Sequence, residues 1–149
     1  MAVAGDNYSE PARGEMGSIY SQAVLDHAAS PRNFGDMEGA DGHAVITGPC
    51  GDTMAIWLKV QDNTVVRAAF TTDGCGTTLA AGSMVTEMAA NRGIGQVLRI
   101  GQQDVLSALG GLPPESEHCA LLAADTLRKA VEDYIALKRE PWKGMYKKR

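Results

Sequence analysis

Aromatic residues make up 5% of this chain of 149 residues, so its core has to be built from valine, isoleucine, leucine, methionine and alanine. Cysteine occurs three times, as Cys50, Cys75 and Cys119. An odd number of widely spaced thiols argues against a disulfide framework and for a reducing, cytoplasmic setting. There is no Cys-x-x-Cys pair, which counts against a closed zinc site of the zinc-finger type. A Gly-rich phosphate loop, a serine-nucleophile motif and the His pair of a zinc peptidase are missing too. No apolar run is long enough to span a bilayer, and the amino-terminal residues lack the basic-then-apolar order of a secretory signal, so no membrane partner is expected. An excess of basic residues is also absent. A net charge of −4 and a pI of about 5.3 argue against nucleic acid as the main partner.

A hydrophobic fraction of 44% suits one soluble domain. Residues 1–17, rich in Gly, Ala and charge, read as a flexible tail, and residues 139–149 as a basic carboxy-terminal tail. The domain between them, residues 18–138, is expected to be α+β, a small three-stranded antiparallel sheet packed by helices. Ser18 to Ala29 forms a first helix, with Ser18 as its cap and Pro31 as its stop. Strands follow near His43 to Thr47, over Thr53 to Val60 and over Thr64 to Thr72. Helices are then expected over Thr77 to Ala90, over Gln102 to Leu109, and from a Ser116 cap to about Lys138, where Ala120, Ala124, Leu127, Val131 and Tyr134 recur at helical spacing.

The hairpin can be given a register. Met54, Ile56, Leu58 and Val60 alternate onto one face, and Val66, Ala68 and Phe70 onto the apolar face of the next strand. A two-residue turn at 62–63 would set Met54 opposite Thr71 and mix the faces. A three-residue turn at 61–63 sets Met54 opposite Phe70 and Leu58 opposite Val66, and is preferred because a one-residue slip turns every side chain over. Extended to the open end, this register places Asp52 opposite Thr72 and Cys50 opposite Gly74, beside Cys75.

Each thiol therefore sits where a metal ligand would. Cys75 lies between Gly74 and Gly76 just before a helix, and Cys119 follows His118 in the first turn of another. Helix N-termini favour thiolate, the form that binds metal and attacks sulfur. Three thiolates with one Asp or His suit zinc or an iron–sulfur cluster. Asp52 reads equally well as a turn residue bonded to its own backbone, and His118 as a surface residue at a helix start. His27 and His43 lack ligand-like neighbours, and Met16, Met37, Met54, Met84 and Met88 read as core or chance rather than as copper ligands.

Several motifs in order resemble the U-type iron–sulfur scaffolds, the IscU family and the N-terminal domain of NifU. They are Tyr20-Ser21 with Val24-Leu25-Asp26-His27, Pro31-Arg32-Asn33-Phe34-Gly35, Gly48-Pro49-Cys50-Gly51-Asp52, Thr72-Asp73-Gly74-Cys75-Gly76, Met84-Val85-Thr86-Glu87, and Leu112-Pro113-Pro114 leading to His118-Cys119. The resemblance covers nearly everything but the tails. It implies an α/β sandwich with its site at an exposed end. It also implies a scaffold that builds a 2Fe–2S cluster from iron, brought by an iron donor, and sulfur, brought by a cysteine desulfurase. The cluster is then handed to acceptor apoproteins. On this likeness Cys50, Cys75 and Cys119 are cluster ligands and can hold a persulfide, Asp52 is the carboxylate tied to cluster lability, and His118 is a competing ligand. Three thiolates with an Asp or His can also bind zinc in the apo form. The fourth ligand, Asp52 or His118, and a cluster held by one chain or shared across a homodimer both stay open.

Leu112-Pro113-Pro114-Glu115-Ser116 departs from the family's Leu-Pro-Pro-Val-Lys, which counts against docking of the dedicated chaperone. The rival likeness is to the SufU branch, zinc-bound sulfurtransferases that accept persulfide from a desulfurase. That branch carries an insertion between its second and third cysteines and lacks the His before the last one. The short span from Cys75 to Cys119 and the presence of His118 favour the scaffold.

Overall fold

The computed structural model describes residues 20–140, so both expected tails, and the expected helix start at Ser18, lie outside the described residues apart from Arg139, the last residue of the final helix, and Glu140, its cap. Helix α1 (Gln22–Ala29) is capped by Ser21, whose hydroxyl accepts from the Val24 N–H at 3.1 Å. The same hydroxyl donates to the Leu109 carbonyl and ties the helix to the rest of the fold. Strands β1 (Gly42–Thr47), β2 (Thr53–Gln61) and β3 (Thr64–Thr72) form an antiparallel meander, as the sequence predicts. A fourth strand, β4 (Arg92–Gly93), adds to the outer edge of β3 and makes the order β1-β2-β3-β4. Its two residues are too few to show an alternation, so they read as the end of the preceding helix.

The hairpin register differs from the sequence-based one. Asp62 and Asn63 both have positive φ, 53° and 58°, as a two-residue type I′ turn requires. Val60 pairs with Val65, but Lys59 pairs with Arg67, so Val66 is an extra residue in a β-bulge. The bulge moves the rest of the strand by one position. Met54 then faces Thr72, Ile56 faces Phe70 and Leu58 faces Ala68. The rejected turn and the matched apolar faces thus coexist. Val65 is fully buried in place of Val66, which is 36% exposed.

Helices α2 (Gly76–Ala89) and α5 (Glu117–Arg139) cover one face of the sheet, α2 against β3 and α5 across β1 and β2. Short helices α3 (Ile94–Leu98) and α4 (Gln102–Leu109) and a 3₁₀ turn (Pro114–Ser116) connect them. Met54, Ile56, Leu58, Phe70, Val85, Leu127 and Val131 meet in the core with no exposure to solvent. Gly82 of α2 lies directly on the Phe70 ring, where a Cβ would collide with it. The segment 31–41 crosses the other face, pairing Phe34 with Phe70 and packing Met37, Ala40 and Ala69 beside Trp57.

His27 is buried, and its Nδ1 lies 2.7 Å from the Ser83 hydroxyl. That oxygen accepts from the Arg32 N–H at 2.8 Å, leaving its own proton for a neutral His27. Burial, helped by Arg32 and opposed by Glu87 and Asp26, lowers the His27 pKa. The unfolded chain therefore takes up this proton at higher pH than the folded one. The contribution of neutral His27 to stability is complete above about pH 6.5 and is lost as pH falls through the lowered folded value. Urea midpoints measured across this range are expected to fall on the acid side, and His27→Gln is expected to flatten that slope.

Candidate thiol site

The site is assembled where the open end of the β2–β3 hairpin meets the first turns of α2 and α5. Thr53 and Asp73 lock that end. The Thr53 N–H donates to Asp73 Oδ1 at 2.8 Å, and the Thr72 hydroxyl donates to the Thr53 carbonyl at 2.6 Å. The Gly74 N–H then donates to the Thr72 hydroxyl oxygen at 3.1 Å, which turns the chain into Cys75. Cys75 is the N-cap residue of α2. On the other side, β1 and β2 are joined by a tight turn in which the Gly51 N–H donates to Gly48 O and the Gly48 N–H to Asp52 O. Gly51 has φ +96°, a conformation that L side chains rarely adopt. Cys50 is exposed at the tip of this turn, so it is not the cross-strand partner of Gly74 that the expected register made it.

Three of the five expected ligands converge on one hydroxyl. Thr78 Oγ1 donates to Asp52 Oδ2 at 2.7 Å, lies 3.4 Å from Cys119 Sγ and 3.9 Å from Cys75 Sγ. Thr77 Oγ1 lies 3.0 Å from Cys75 Sγ and 3.6 Å from Cys119 Sγ. His118 Nε2 stands 3.8 Å from Cys119 Sγ. A side chain at Gly74 would press on this cluster, since its Cβ would come within 2.6 Å of Asp52 Oδ2 and 2.7 Å of Thr78. Among the described residues, however, no three His, Cys, Asp or Glu side chains are close enough to hold one ion as they stand. Asp52, Cys75 and Cys119 are gathered around threonine hydroxyls, while Cys50 is exposed on its turn. The donor set itself, soft thiols with one carboxylate and one imidazole, fits iron, sulfide-bridged iron or zinc.

The two inner thiols differ in character. Burial pushes the Cys75 thiol up, but hydrogen bonds from the Thr77 hydroxyl and from the Thr78 and Thr77 backbone outweigh it, and the net shift is downward. This is the thiolate bias expected of a residue at a helix start. Cys119 departs from that expectation. It is 2% exposed, and burial raises its pKa, with the negative neighbours Cys75 and Asp52 adding to the effect and the two threonine hydroxyls opposing it. Thr77 and Thr78 escaped the sequence reading, although hydroxyl residues directly after a helix-capping Cys are the signal that could have found them. A cavity of about 480 Å³ lies by the Asn63 turn and Tyr134, at the opposite end of the hairpin, and contains no thiol.

Residues 19–140 match the family described as "NifU-like N terminal domain". The chain is 47% identical over 118 residues to "Iron-sulfur cluster assembly scaffold protein IscU 1" of Archaeoglobus fulgidus, covering 78% of this chain and 77% of that one. It is 41% identical over 123 residues to the IscU scaffold protein of Aquifex aeolicus, covering 80% and 78%. To that of Escherichia coli K12 it is 37% identical over 126 residues, covering 81% and 97%. Among solved structures, a NifU-like N-terminal protein from Brucella abortus superposes with a TM-score of 0.64 at 18% identity, covering 79% of this chain and 95% of that one. A putative SUF-system scaffold from Fervidobacterium islandicum superposes at 0.62 and 17% identity, covering 79% and 99%. At these identities the two structures speak for the fold alone.

Proposed function

The chain belongs to the family of the NifU-like N-terminal domain, and from that premise we propose that it is a scaffold on which an iron–sulfur cluster is assembled before transfer to acceptor proteins. The observation that carries the reading is the convergence of Asp52, Cys75 and Cys119 on the Thr78 hydroxyl, at an end of the sheet where Cys50 and Cys75 are exposed. The cargo is a 2Fe–2S cluster held by Cys50, Cys75 and Cys119, with Asp52 or His118 as the fourth ligand. Zinc can take the same donors in the apo form. The setting is cytoplasmic. Among the described residues, no helix is long and apolar enough to cross a membrane.

The residues divide the work by their chemistry. Cys75 is exposed and biased toward thiolate, which fits it to receive sulfur from a cysteine desulfurase. Its thiolate attacks the outer sulfur of the desulfurase persulfide. The new S–S bond leaves a persulfide on Cys75, and the desulfurase keeps its thiolate. Cys119 is buried and protonated more readily, so it enters as a ligand once a cation arrives to favour its thiolate. Asp52 is a hard oxygen donor, a weaker partner for cluster iron than a thiolate. A scaffold has to let go, and one such ligand serves release. Asp52→Ala is therefore expected to lengthen the lifetime of the cluster in air severalfold, followed by loss of visible absorbance. Faster loss in the variant would remove Asp52 from this role.

The direct test supplies the chain with iron, cysteine and a cysteine desulfurase, then adds an apo-ferredoxin. Passage of the cluster to the ferredoxin is the expected result. Tightly held zinc, no transferable cluster and accelerated desulfurase turnover would instead make the chain a sulfurtransferase of the SufU kind.

A further inference from the structure

We infer that Thr78 is a positioning residue for the thiol site: its hydroxyl holds the Asp52 carboxylate beside Cys75 and Cys119 so that carboxylate and thiols can take one ion together. The inference rests on the scaffold reading for the identity of the ligands, and adds the residue that brings them into register.

Asp52, Cys75 and Cys119 come from three separate pieces of chain, the start of β2, the cap of α2 and the first turn of α5. What they share is the Thr78 hydroxyl, 2.7 Å from Asp52 Oδ2, 3.4 Å from Cys119 Sγ and 3.9 Å from Cys75 Sγ. The residue has no solvent exposure, so this hydroxyl cannot turn to water. A hydroxyl has one proton, and an ionised carboxylate only accepts. The proton therefore points at Asp52. That bond matters because a carboxylate and thiolates repel one another in a shared site. Asp52 is only partly buried, and without the hydroxyl it is free to turn toward solvent, away from like charge.

Thr77 does not duplicate the arrangement. Its hydroxyl approaches both sulfurs, while the bond to the carboxylate is made by Thr78. Gly74 leaves room for that bond, because a Cβ there would overlap both of its partners. Such outer contacts commonly decide how well a ligand is aimed, and losing one typically costs about 10–100-fold in metal affinity.

The test uses the apo chain and cobalt(II) alone, titrated anaerobically and followed by sulfur-to-cobalt charge transfer and the visible ligand-field bands. Thr78→Val keeps the side-chain shape and removes the hydroxyl, and Thr78→Ser keeps the hydroxyl. Thr78→Val is expected to weaken cobalt binding by about tenfold or more and to shift the ligand-field bands as Asp52→Ala does. Thr78→Ser should bind like the unaltered chain. In the Asp52→Ala background, Thr78→Val should cost nothing further. The inference is overturned if Thr78→Val binds cobalt like the unaltered chain. It is equally overturned if the loss is as large without Asp52, since Thr78 would then act on the fold or on the thiols alone. Should Thr78→Val not fold, Thr78→Ala takes its place in the same cycle. No cluster is needed at any step, so a failure of the scaffold reading, seen as absence of transferable cluster, is distinct from a failure here.

Discussion

Cys75→Ser is expected to retain almost none of the iron and sulfide that the unaltered chain takes up on reconstitution. Serine preserves the shape and the hydrogen-bonding neighbourhood of Thr77 and Thr78, so the fold should survive. What it removes is a soft donor whose ionisation its surroundings favour. A serine hydroxyl stays protonated at neutral pH and is a poor partner for cluster iron. The cost should exceed the factor of about 10–100 that changes to outer contacts produce. The same residue should dominate thiol reactivity in the apo chain. Iodoacetamide at neutral pH, followed by peptide mass analysis, is expected to modify Cys75 well before Cys119, because Cys75 is exposed with a lowered pKa while Cys119 is buried with a raised one. Equal rates at the two positions would show that the cluster of threonine hydroxyls does not set thiol character.

Gly82→Ala is expected to destabilise the domain markedly for a single added methyl. Helix α2 lies so close to β3 that a Cβ at this position would overlap the ring of Phe70, which is itself fully buried and held edge-on by Phe34 at 5.4 Å. Alanine is the better helix former, by about 0.8–1.0 kcal/mol, so a helix judged by propensity alone would be stabilised. Overpacking a close-packed core costs about 1–3 kcal/mol, and here the obstacle is a rigid ring rather than the flexible end of a side chain. The collision should win, lowering the thermal midpoint by several degrees for a domain of this size. Because α2 carries Cys75, Thr77 and Thr78, the variant should also bind metal less well. An unchanged or raised midpoint would mean that helix and strand can separate at no cost.

The pattern of alternating residues was enough to read β2, whose Met54, Ile56, Leu58 and Val60 all turn inward. It was not enough for β3. Val65 and Val66 are chemically alike, and only the bulge between them decides which one is buried. A bulge has no composition of its own, so matching the apolar faces favours a three-residue turn and sets Cys50 opposite Gly74, whereas the two-residue turn with its bulge is the one formed and Cys50 belongs to the tip of the β1–β2 turn. The meeting of Cys75 and Cys119 is legible, because both are placed at helix starts by the sequence. Asp52 was legible as a neighbour of Cys75 but for a different geometric reason, since it reaches the site through Thr78 rather than through a strand pair. The thiolate bias expected at a helix start is found at Cys75 and not at Cys119, where burial outweighs the threonine hydrogen bonds. Burial of that kind depends on what packs above a residue, which local sequence does not contain.

Anaerobic reconstitution with iron, cysteine and a cysteine desulfurase, followed by visible absorption and by iron, sulfide and zinc analysis, tests the central reading most directly. Sulfide-to-iron charge-transfer bands, with iron and sulfide bound in matching amounts, are the predicted result. Firmly held zinc with no such bands, and no acid-labile sulfide on the protein, would contradict it.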